Sequence, residues 1–350
     1  MEKIVIVTVY NSENSGSYLQ AYALGQVLKS QKYEVAYYKR PVKGTSHAIR
    51  PHIIWSLKKL AKLRFKSAIY PLKTWWTYHQ VQKEFTICDS QSVFYKEAKT
   101  VIIGSDTLWN FSSDYFANKS QIYTGKKFAD KTVLTYAVSA ANTTEDKFTN
   151  VVNKDGGLEH IKRILVRDIH TQKLVAKVTD KTADIVCDPT LLLAPQDYDI
   201  LYKEPYVREP YLLLYYFGRI ENQHKSVIVK FAEEHCLKIV SLMEVRSWAD
   251  YCTHSSPSNM ISYFKNADCI VTNTFHGTAF SLIYGKPFAV HNHNNNKVNE
   301  LLNFYQQGNR LFLNPENIPS LLSLKNDVHE SGLYERMKNN SIEILKNTLK

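Results

Sequence analysis

Cysteine pairs, long apolar runs and nucleotide-binding glycine patterns are missing from this 350-residue chain. Its five cysteines are scattered and form no CxxC pair, which argues against a disulfide framework or a cysteine zinc site. No run approaches the roughly 20 apolar residues that span a bilayer. The first residues, MEKIVIVTVY, lack the pattern of a signal peptide. These absences predict a cytoplasmic protein that at most lies on a membrane surface.

The composition is that of a globular protein. Hydrophobic residues make up 44% of the chain and charged residues 22%, so the chain is not of the disordered class. A length of 350 residues exceeds one ordinary core, and two domains are expected. GxGxxG and Walker spacings do not occur, so a dinucleotide or ATP loop is not supported.

The net charge of +11 is concentrated in residues 43–84, where Glu84 is the only acidic side chain. Trp55, Trp75 and Trp76 are interleaved with the basic residues, and Ile53 and Leu57 fall on one helical face. A basic amphipathic helix with tryptophans is typical of an anchor on an anionic membrane surface. Alternatively, the apolar face packs on its own domain. Nucleic-acid binding is not expected, because no nucleic-acid-binding motif accompanies the charge.

Apolar strand patterns alternate with helical patterns along the chain, and the alternation restarts after a Pro-containing stretch near residues 194–210. This order predicts an α/β protein with two Rossmann-like parallel sheets, each covered by helices on both faces. We expect an N-terminal domain over residues 1–194, a C-terminal domain over 195–330 and a closing helix over 331–350. The predicted strands lie in the segments KIVIVTVY, YEVAYYKR, TVIIGSD, VLTYAVSA, RILVRD, DIVCDP, YLLLYYFG, LKIVSLM and CIVTNT.

Ligands of open α/β sheets bind beyond the carboxyl ends of the strands. The small polar residues Asn14, Ser15 and Gly16 follow the first strand and are suited to holding a substrate. Arg167 ends another strand and is suited to a phosphate or carboxylate, or to a structural ion pair.

The segment TVIIGSDTLWN places Ser105, Asp106 and Trp109 beyond another strand. An aspartate there is a candidate sugar-binding group or general base, with a helix N-cap as the alternative. Trp109 would offer an aromatic platform to the sugar.

The segment 268–290 is predicted to form a strand, a tight turn and a helix, with His276 and Gly277 at the turn. A helix N-terminus attracts anions, and a histidine there adds a proton or a positive charge. Thr274 lies in the same turn, and Lys286 is expected to point at the same cleft. The run 291–294 is predicted to be a loop rather than a metal site.

Several motifs together resemble the polysaccharide pyruvyl transferase family. They are TVYNSENSGSYLQAYAL, VIIGSDTLWN, TYAVSAA, ILVRDIHTQKLV, CDPTLLL and TNTFHGTAFSLIYGKPF, in this order. The resemblance implies two Rossmann-like domains that face a cleft, as in GT-B glycosyltransferases. It implies transfer of a pyruvyl group from phosphoenolpyruvate to a sugar or a lipid-linked oligosaccharide, with ketal formation and release of phosphate. No metal or cofactor is required.

The resemblance assigns catalysis to His276 and Asp106, and it assigns donor binding to Arg167. Thr274 stands where some family members have an arginine, so either Arg167, Lys286 or another basic group holds the donor here, or the donor differs. Thr274, Gly277 and Lys286 complete the expected donor site. The expected acceptor site comprises Asn14, Ser15, Gly16, Ser105 and Trp109.

Two other functions are compatible with the same residues. In a GT-B-like glycosyltransferase, His276 and Arg167 would hold the diphosphate of a nucleotide sugar. In a non-catalytic scaffold on a membrane surface, residues 43–84 would be the functional part.

Overall fold

The computed structural model describes residues 1–40, 49–61, 69–292 and 296–350, with only the backbone at residues 49 and 59–61. The expectations for residues 43–48, 62–68, 293 and 294 lie outside these ranges. The described residues form two parallel α/β sheets, of seven and six strands. The predicted fold class is therefore confirmed.

The first sheet has the strand order β3-β2-β1-β4-β5-β6-β7. Its strands are β1 (Lys3–Val7), β2 (Glu34–Tyr38), β3 (Ile87–Cys88), β4 (Thr100–Ile103), β5 (Thr132–Thr135), β6 (Ile161–Val166) and β7 (Ala183–Ile185). Every pairing in this sheet is parallel. After Lys3, the interior strand β1 is apolar, because both faces of a parallel sheet are covered.

The second sheet has the strand order β10-β9-β8-β11-β12-β13 and is also parallel. Its strands are β8 (Tyr211–Tyr215), β9 (Lys238–Leu242), β10 (Tyr251–Thr253), β11 (Cys269–Thr272), β12 (Phe288–His291) and β13 (Leu311–Phe312). The first sheet ends at Ile185 and the second begins at Tyr211, and the predicted domain boundary at residue 194 falls between them.

Helices connect the strands and cover both sheets. They are α1 (Ser15–Ser30), α2 (Ile49–Ala61), α3 (Tyr70–Val81), α4 (Val93–Glu97), α5 (Asp114–Ala117), α6 (Ser120–Tyr123), α7 (Glu145–Lys154), α8 (Ile169–Val175), α9 (Asn222–Glu234), α10 (Pro257–Asn266), α11 (Phe275–Ile283), α12 (Asn296–Phe304), α13 (Ile318–Ser323) and α14 (Leu333–Leu349). Short 3₁₀ helices span Gln82–Glu84, Lys126–Phe128, Pro189–Leu192, Pro195–Leu201, Gly308–Arg310 and Pro315–Asn317. No helix in the described ranges is long and apolar enough to cross a membrane.

The alternation of side chains along the strands divides the interior into three apolar clusters. Val5 and Val7 face a cluster on one side of the first sheet, and Leu212 and Leu214 face a cluster on one side of the second. The opposite faces of the two sheets contribute to one continuous cluster, which contains Ile6 as well as residues of the second domain. The two domains therefore share a core.

Residues between and after the two sheets strengthen this connection. The Tyr198 ring lies 6.4 Å from Tyr22 of α1 and 5.4 Å from Phe280 of α11, measured between centroids. The closing helix α14 returns to the first domain, where the Cys187 amide donates to Ser341 Oγ at 3.0 Å. These contacts fix the position of the two domains relative to each other.

Helix α2 turns its polar side inward. His52 and Ser56, one turn apart, are 3% and 6% exposed, whereas Ile53, Ile54 and Leu57 are 41–58% exposed. The interpretation in which the apolar face of this helix packs on its own domain is therefore wrong for the described part of the segment. Its buried polar side meets a cleft between the two domains.

Candidate active site at the facing edges of the sheets

The N-terminus of α1 forms one wall of the site. Asn14 caps this helix, because its Oδ1 accepts hydrogen bonds from the Gly16 amide at 2.9 Å and the Ser17 amide at 3.2 Å. The cap places the first turn of α1 beyond the carboxyl end of β1. The expected acceptor residue Asn14 is thus exposed at the site and engaged in capping.

His276 reaches this turn from the second domain. It lies in the first turn of α11, directly after β11, and its imidazole packs against Gly16. A Cβ atom on Gly16 would lie only 2.1 Å from His276 Nδ1, so no larger residue fits there without moving the ring. His276 Nε2 is buried and has no hydrogen-bond partner in the described part of the chain. The two sheets therefore meet at the predicted histidine.

Asp106 follows β4 and lies beside the same turn of α1. Its Oδ2 accepts from Ser17 Oγ at 2.7 Å, and its Oδ1 accepts from the Thr107 amide at 2.7 Å. Burial raises the pKa of Asp106, but Arg167 and His276 nearby more than offset this, and the pKa is lowered overall. Asp106 is accordingly an ionised carboxylate that supports positive charge around it.

Arg167 directly follows β6 and points into the same region. Its Nη1 donates to Asp188 Oδ2 at 2.8 Å, and its guanidinium lies 4.5 Å from the centroid of the Phe275 ring. Burial lowers its pKa, but Asp188 and Asp106 reverse the effect, so the pKa is raised and the group stays cationic. Its Nε is buried without a partner among the described residues.

Lys297 is a further basic group of the site that the sequence analysis did not identify. It lies in the first turn of α12 and lines a small cavity together with Arg167, Asp168 and Phe275. Burial and the nearby Arg167 lower its pKa to about 8, although Asp106 and Asp168 act in the opposite sense. No local sequence signal marks this lysine, because its position depends on how α12 crosses the cleft.

The site can therefore hold an anion beside a histidine. Burial lowers the pKa of His276, although Asp188 and Asp106 act in the opposite direction, so the free imidazole is neutral at pH 7. An anion would supply the missing acceptors for Arg167 Nε and His276 Nε2. Such an anion would also meet the ammonium group of Lys297.

Thr274 and Gly277, two of the residues predicted to bind the donor substrate, are hydrogen-bonded to each other. Thr274 caps α11, and its hydroxyl accepts the hydrogen bond of the Gly277 amide at 2.9 Å. Gly277 is required by packing, since a Cβ atom there would lie 2.0 Å from Thr272 Oγ1. Both residues thus shape the turn that carries His276, and the Gly277 amide is not free for a donor.

The expectation that Lys286 points at this cleft is corrected by the topology. Helix α11 carries the chain back along the sheet, so Lys286 lies just before β12, at the amino end of the strands. Its pKa is lowered by burial, and the charge acting on it is Asp268, which precedes β11 at the same edge. His276 lies beyond the carboxyl end of β11, at the opposite edge.

Three of the residues predicted to bind the acceptor sugar instead have structural roles in this fold. Ser15 Oγ lies 2.6 Å from Tyr78 Oη and 2.7 Å from Ser255 Oγ, linking α1 to both α3 and the second domain. Ser105 is fully buried and its Oγ accepts from the Asp106 amide at 2.6 Å. Trp109 is fully buried in the core, where its indole donates to the Tyr123 carbonyl at 2.8 Å. All three side chains are buried and have hydrogen-bond partners within the protein. No group of three or more potential metal ligands occurs among the described residues.

Comparison with known proteins relates this arrangement to one family and one fold. The family model described as polysaccharide pyruvyl transferase matches residues 14–295, which include Asp106, Arg167 and His276. No curated protein sequence matches the chain.

The fold is similar to that of several solved structures. A UDP-GlcNAc 2-epimerase from Methanocaldococcus jannaschii has a TM-score of 0.54 at 12% identity, with 99% of this chain and 100% of that chain covered. A UDP-GlcNAc 2-epimerase from Neisseria meningitidis has a TM-score of 0.51 at 10% identity, with 100% and 99% covered. The glycotransferase of kitacinnamycin has a TM-score of 0.51 at 12% identity, with 99% and 98% covered. These similarities confirm the predicted GT-B-like fold.

Proposed function

This chain belongs to the polysaccharide pyruvyl transferase family, and from that premise we propose that it transfers a pyruvyl group from phosphoenolpyruvate to two hydroxyls of a sugar, forming a ketal. The observation that carries the proposal is the pair of buried, unpartnered nitrogens, Arg167 Nε and His276 Nε2, at the facing edges of the sheets. An anionic donor would satisfy both of them.

The charges of the site support a small, multiply charged donor. Phosphoenolpyruvate carries a phosphate and a carboxylate, and Arg167 and Lys297 are the cations that would bind them. Asp188 and Phe275 hold the guanidinium of Arg167 in place, so it presents its N–H groups to the phosphoenolpyruvate in a fixed orientation. Lys297 would supply the positive charge that is missing at position 274, where this chain has a threonine and some family members have an arginine.

The reaction adds one proton to the methylene carbon of phosphoenolpyruvate and one proton to the phosphate that is released. The oxygen of a first sugar hydroxyl bonds to the central carbon of phosphoenolpyruvate, while the methylene carbon receives a proton and becomes a methyl group. A second hydroxyl then bonds to the same carbon as the carbon–oxygen bond to phosphate breaks. The two hydroxyl protons balance the proton gained by the methyl group and the proton gained by phosphate.

In our proposal His276 delivers the proton to the methylene carbon. Its imidazole is neutral in the free protein, and the negative charge of bound donor would favour its protonated form. Asp106 is the neighbouring carboxylate that stabilises this cation, and Ser17 fixes its orientation. A positioned general acid contributes ~100- to 10,000-fold to a rate.

Thermal-shift binding tests the donor assignment without any acceptor. A ligand present at 100 times its dissociation constant stabilises the folded protein by ~2.7 kcal/mol. We expect phosphoenolpyruvate to raise the melting temperature of the wild type, UDP and GDP to leave it unchanged, and His276→Ala to lose most of the rise. A rise with a nucleotide and none with phosphoenolpyruvate would instead indicate a nucleotide-sugar glycosyltransferase.

We propose further that the acceptor is met at an anionic membrane surface, as a lipid-linked oligosaccharide would be. The supporting observation is the outward face of α2, where Ile53, Ile54 and Leu57 are exposed beside the exposed Arg50 and Lys58. Sedimentation with anionic and neutral vesicles tests this proposal. We expect binding to anionic vesicles that Leu57→Glu abolishes and that Ile200→Glu, at an exposed isoleucine outside α2, preserves. Equal, negligible binding to both kinds of vesicle would refute it.

A further inference from the structure

A second cleft opens beside the candidate active site, between α2, α3 and the second domain. Its volume is ≈ 340 Å³, within the range of small-molecule sites. The lining includes Glu13, which directly precedes the Asn14 cap of α1. Since Gly16 of the same turn contacts His276, the cleft adjoins the proposed reacting centre.

The walls of the cleft combine aromatic rings with fixed polar groups. Glu13 Oε1 lies 2.9 Å from His52 Nε2, and the His52 ring meets Trp55 edge-on with centroids 5.8 Å apart. Across the cleft, the Tyr70 hydroxyl donates to the Cys252 carbonyl, and the Tyr70 ring lies 6.4 Å from that of His254. These contacts tie α2 and α3 to the rest of the protein and hold the rings in place.

The lining of this cleft carries little net charge, in contrast to that of the donor site. Glu13 contacts His52, Glu244 is paired with Arg246 at 3.3 Å, and none of the described residues that line the cleft is Lys or Arg. The lining therefore offers no lysine or arginine that would bind a phosphorylated or carboxylated ligand, whereas the site around Arg167 and Lys297 does. The cleft therefore suits a neutral ligand.

A pyranose ring fits both properties of the walls. Its hydroxyls donate hydrogen bonds to carboxylates, and its C–H faces pack against aromatic rings, which present an apolar, electron-rich face. Trp55 is 56% exposed and stands at the rim of the cleft, where its ring remains available for such packing.

We propose that this cleft is the acceptor-sugar site, in which Trp55 packs against the pyranose ring and Glu13 accepts a hydrogen bond from a hydroxyl. This assignment rests on the proposed pyruvyl transfer, because it names the subsite from which that reaction takes its sugar. It replaces the acceptor roles predicted for Ser15, Ser105 and Trp109. The sugar then lies on the α1 side of His276 and the donor on the Arg167 side.

Ligand-observed NMR with p-nitrophenyl glucoside, galactoside, mannoside and N-acetylglucosaminide measures the affinity of the site directly. We expect at least one of these probes to bind the wild type and to bind Trp55→Ala about tenfold more weakly. The matched control is Trp76→Ala, because Trp76 is 60% exposed on α3 and does not line the cleft. Its affinity should stay within about twofold of the wild type.

Phosphoenolpyruvate binding separates this proposal from the proposed function. The thermal shift produced by phosphoenolpyruvate should be the same in the wild type, Trp55→Ala and Trp76→Ala, because the donor site does not include either tryptophan. Equal sugar affinities in the two variants, or no binding of any probe to the wild type, would overturn the acceptor site. A wild type that does not respond to phosphoenolpyruvate would overturn the donor assignment instead.

Discussion

The contact between Gly16 and His276 allows the candidate site to be tested by adding a single methyl group. In Gly16→Ala the new Cβ would lie 2.1 Å from Nδ1 and 2.4 Å from Cγ of the imidazole. Ordinary van der Waals contact begins near 3.4 Å, so the ring must withdraw by about 1.3 Å. The substitution therefore displaces the proposed proton donor without removing it.

The expected losses follow from this displacement. A misplacement of ~1 Å costs ~100-fold in rate, so we expect turnover in Gly16→Ala to fall ~100-fold. Overpacking costs ~1–3 kcal/mol, and the better helix propensity of alanine returns ~0.5–1 kcal/mol. The net loss of stability should be about 1 kcal/mol.

A double-mutant cycle with His276→Ala isolates the contact. Phosphate release from phosphoenolpyruvate in the presence of sugar gives the turnover, and thermal unfolding gives the stability. With the imidazole removed, the methyl group has room, so Gly16→Ala should then lower neither quantity further. Gly308→Ala is the matched control, because a Cβ there meets only the Asn303 side chain, at 3.3 Å. Full turnover in Gly16→Ala, or an equal loss of stability in both backgrounds, would refute the geometry.

Two further predictions concern pH. Because the pKa of Lys297 is lowered to about 8, its charge is lost as the pH rises through that value. Titration calorimetry should show wild-type affinity for phosphoenolpyruvate falling about tenfold per unit above pH 8, while Lys297→Met binds weakly and lacks this step. Burial raises the pKa of Glu13 from 4.5 to about 7, so the folded protein binds its proton more tightly and loses stability as the pH rises between these values. Glu13→Gln should therefore be more stable than the wild type at pH 8 by up to about 3 kcal/mol, with the gap closing toward pH 4.5; parallel stability curves would contradict this.

The sheets were predictable because their strands carry a strong local signal. Segments such as IVIV of β1 and YLLLY of β8 are continuous apolar runs, as expected of strands that are covered on both faces. The strands Ile87–Cys88, Tyr251–Thr253 and Leu311–Phe312 were missed, since two or three residues show no period.

The candidate site was predictable where its residues follow strands within a few positions. Asp106, Arg167 and His276 do so, and parallel topology brings such residues to one edge. Lys297 and the pair Glu13–His52 depend on the crossing of helices, which no local pattern encodes. Lys286 was misplaced because nearness in sequence to His276 spans a helix that reverses the direction of the chain.

The core shared by the two domains also bears on how the protein unfolds. The two domains of a protein with two sheets ordinarily unfold in separate steps, because each sheet has its own apolar core. Here the inner faces of both sheets bury the same cluster, and α14 bonds back to Cys187 of the first domain. Melting either sheet would expose apolar surface of the other, so the free energies of the two are coupled. A calorimetric scan of this chain should contain one cooperative transition, and variants in either domain should shift the whole of it.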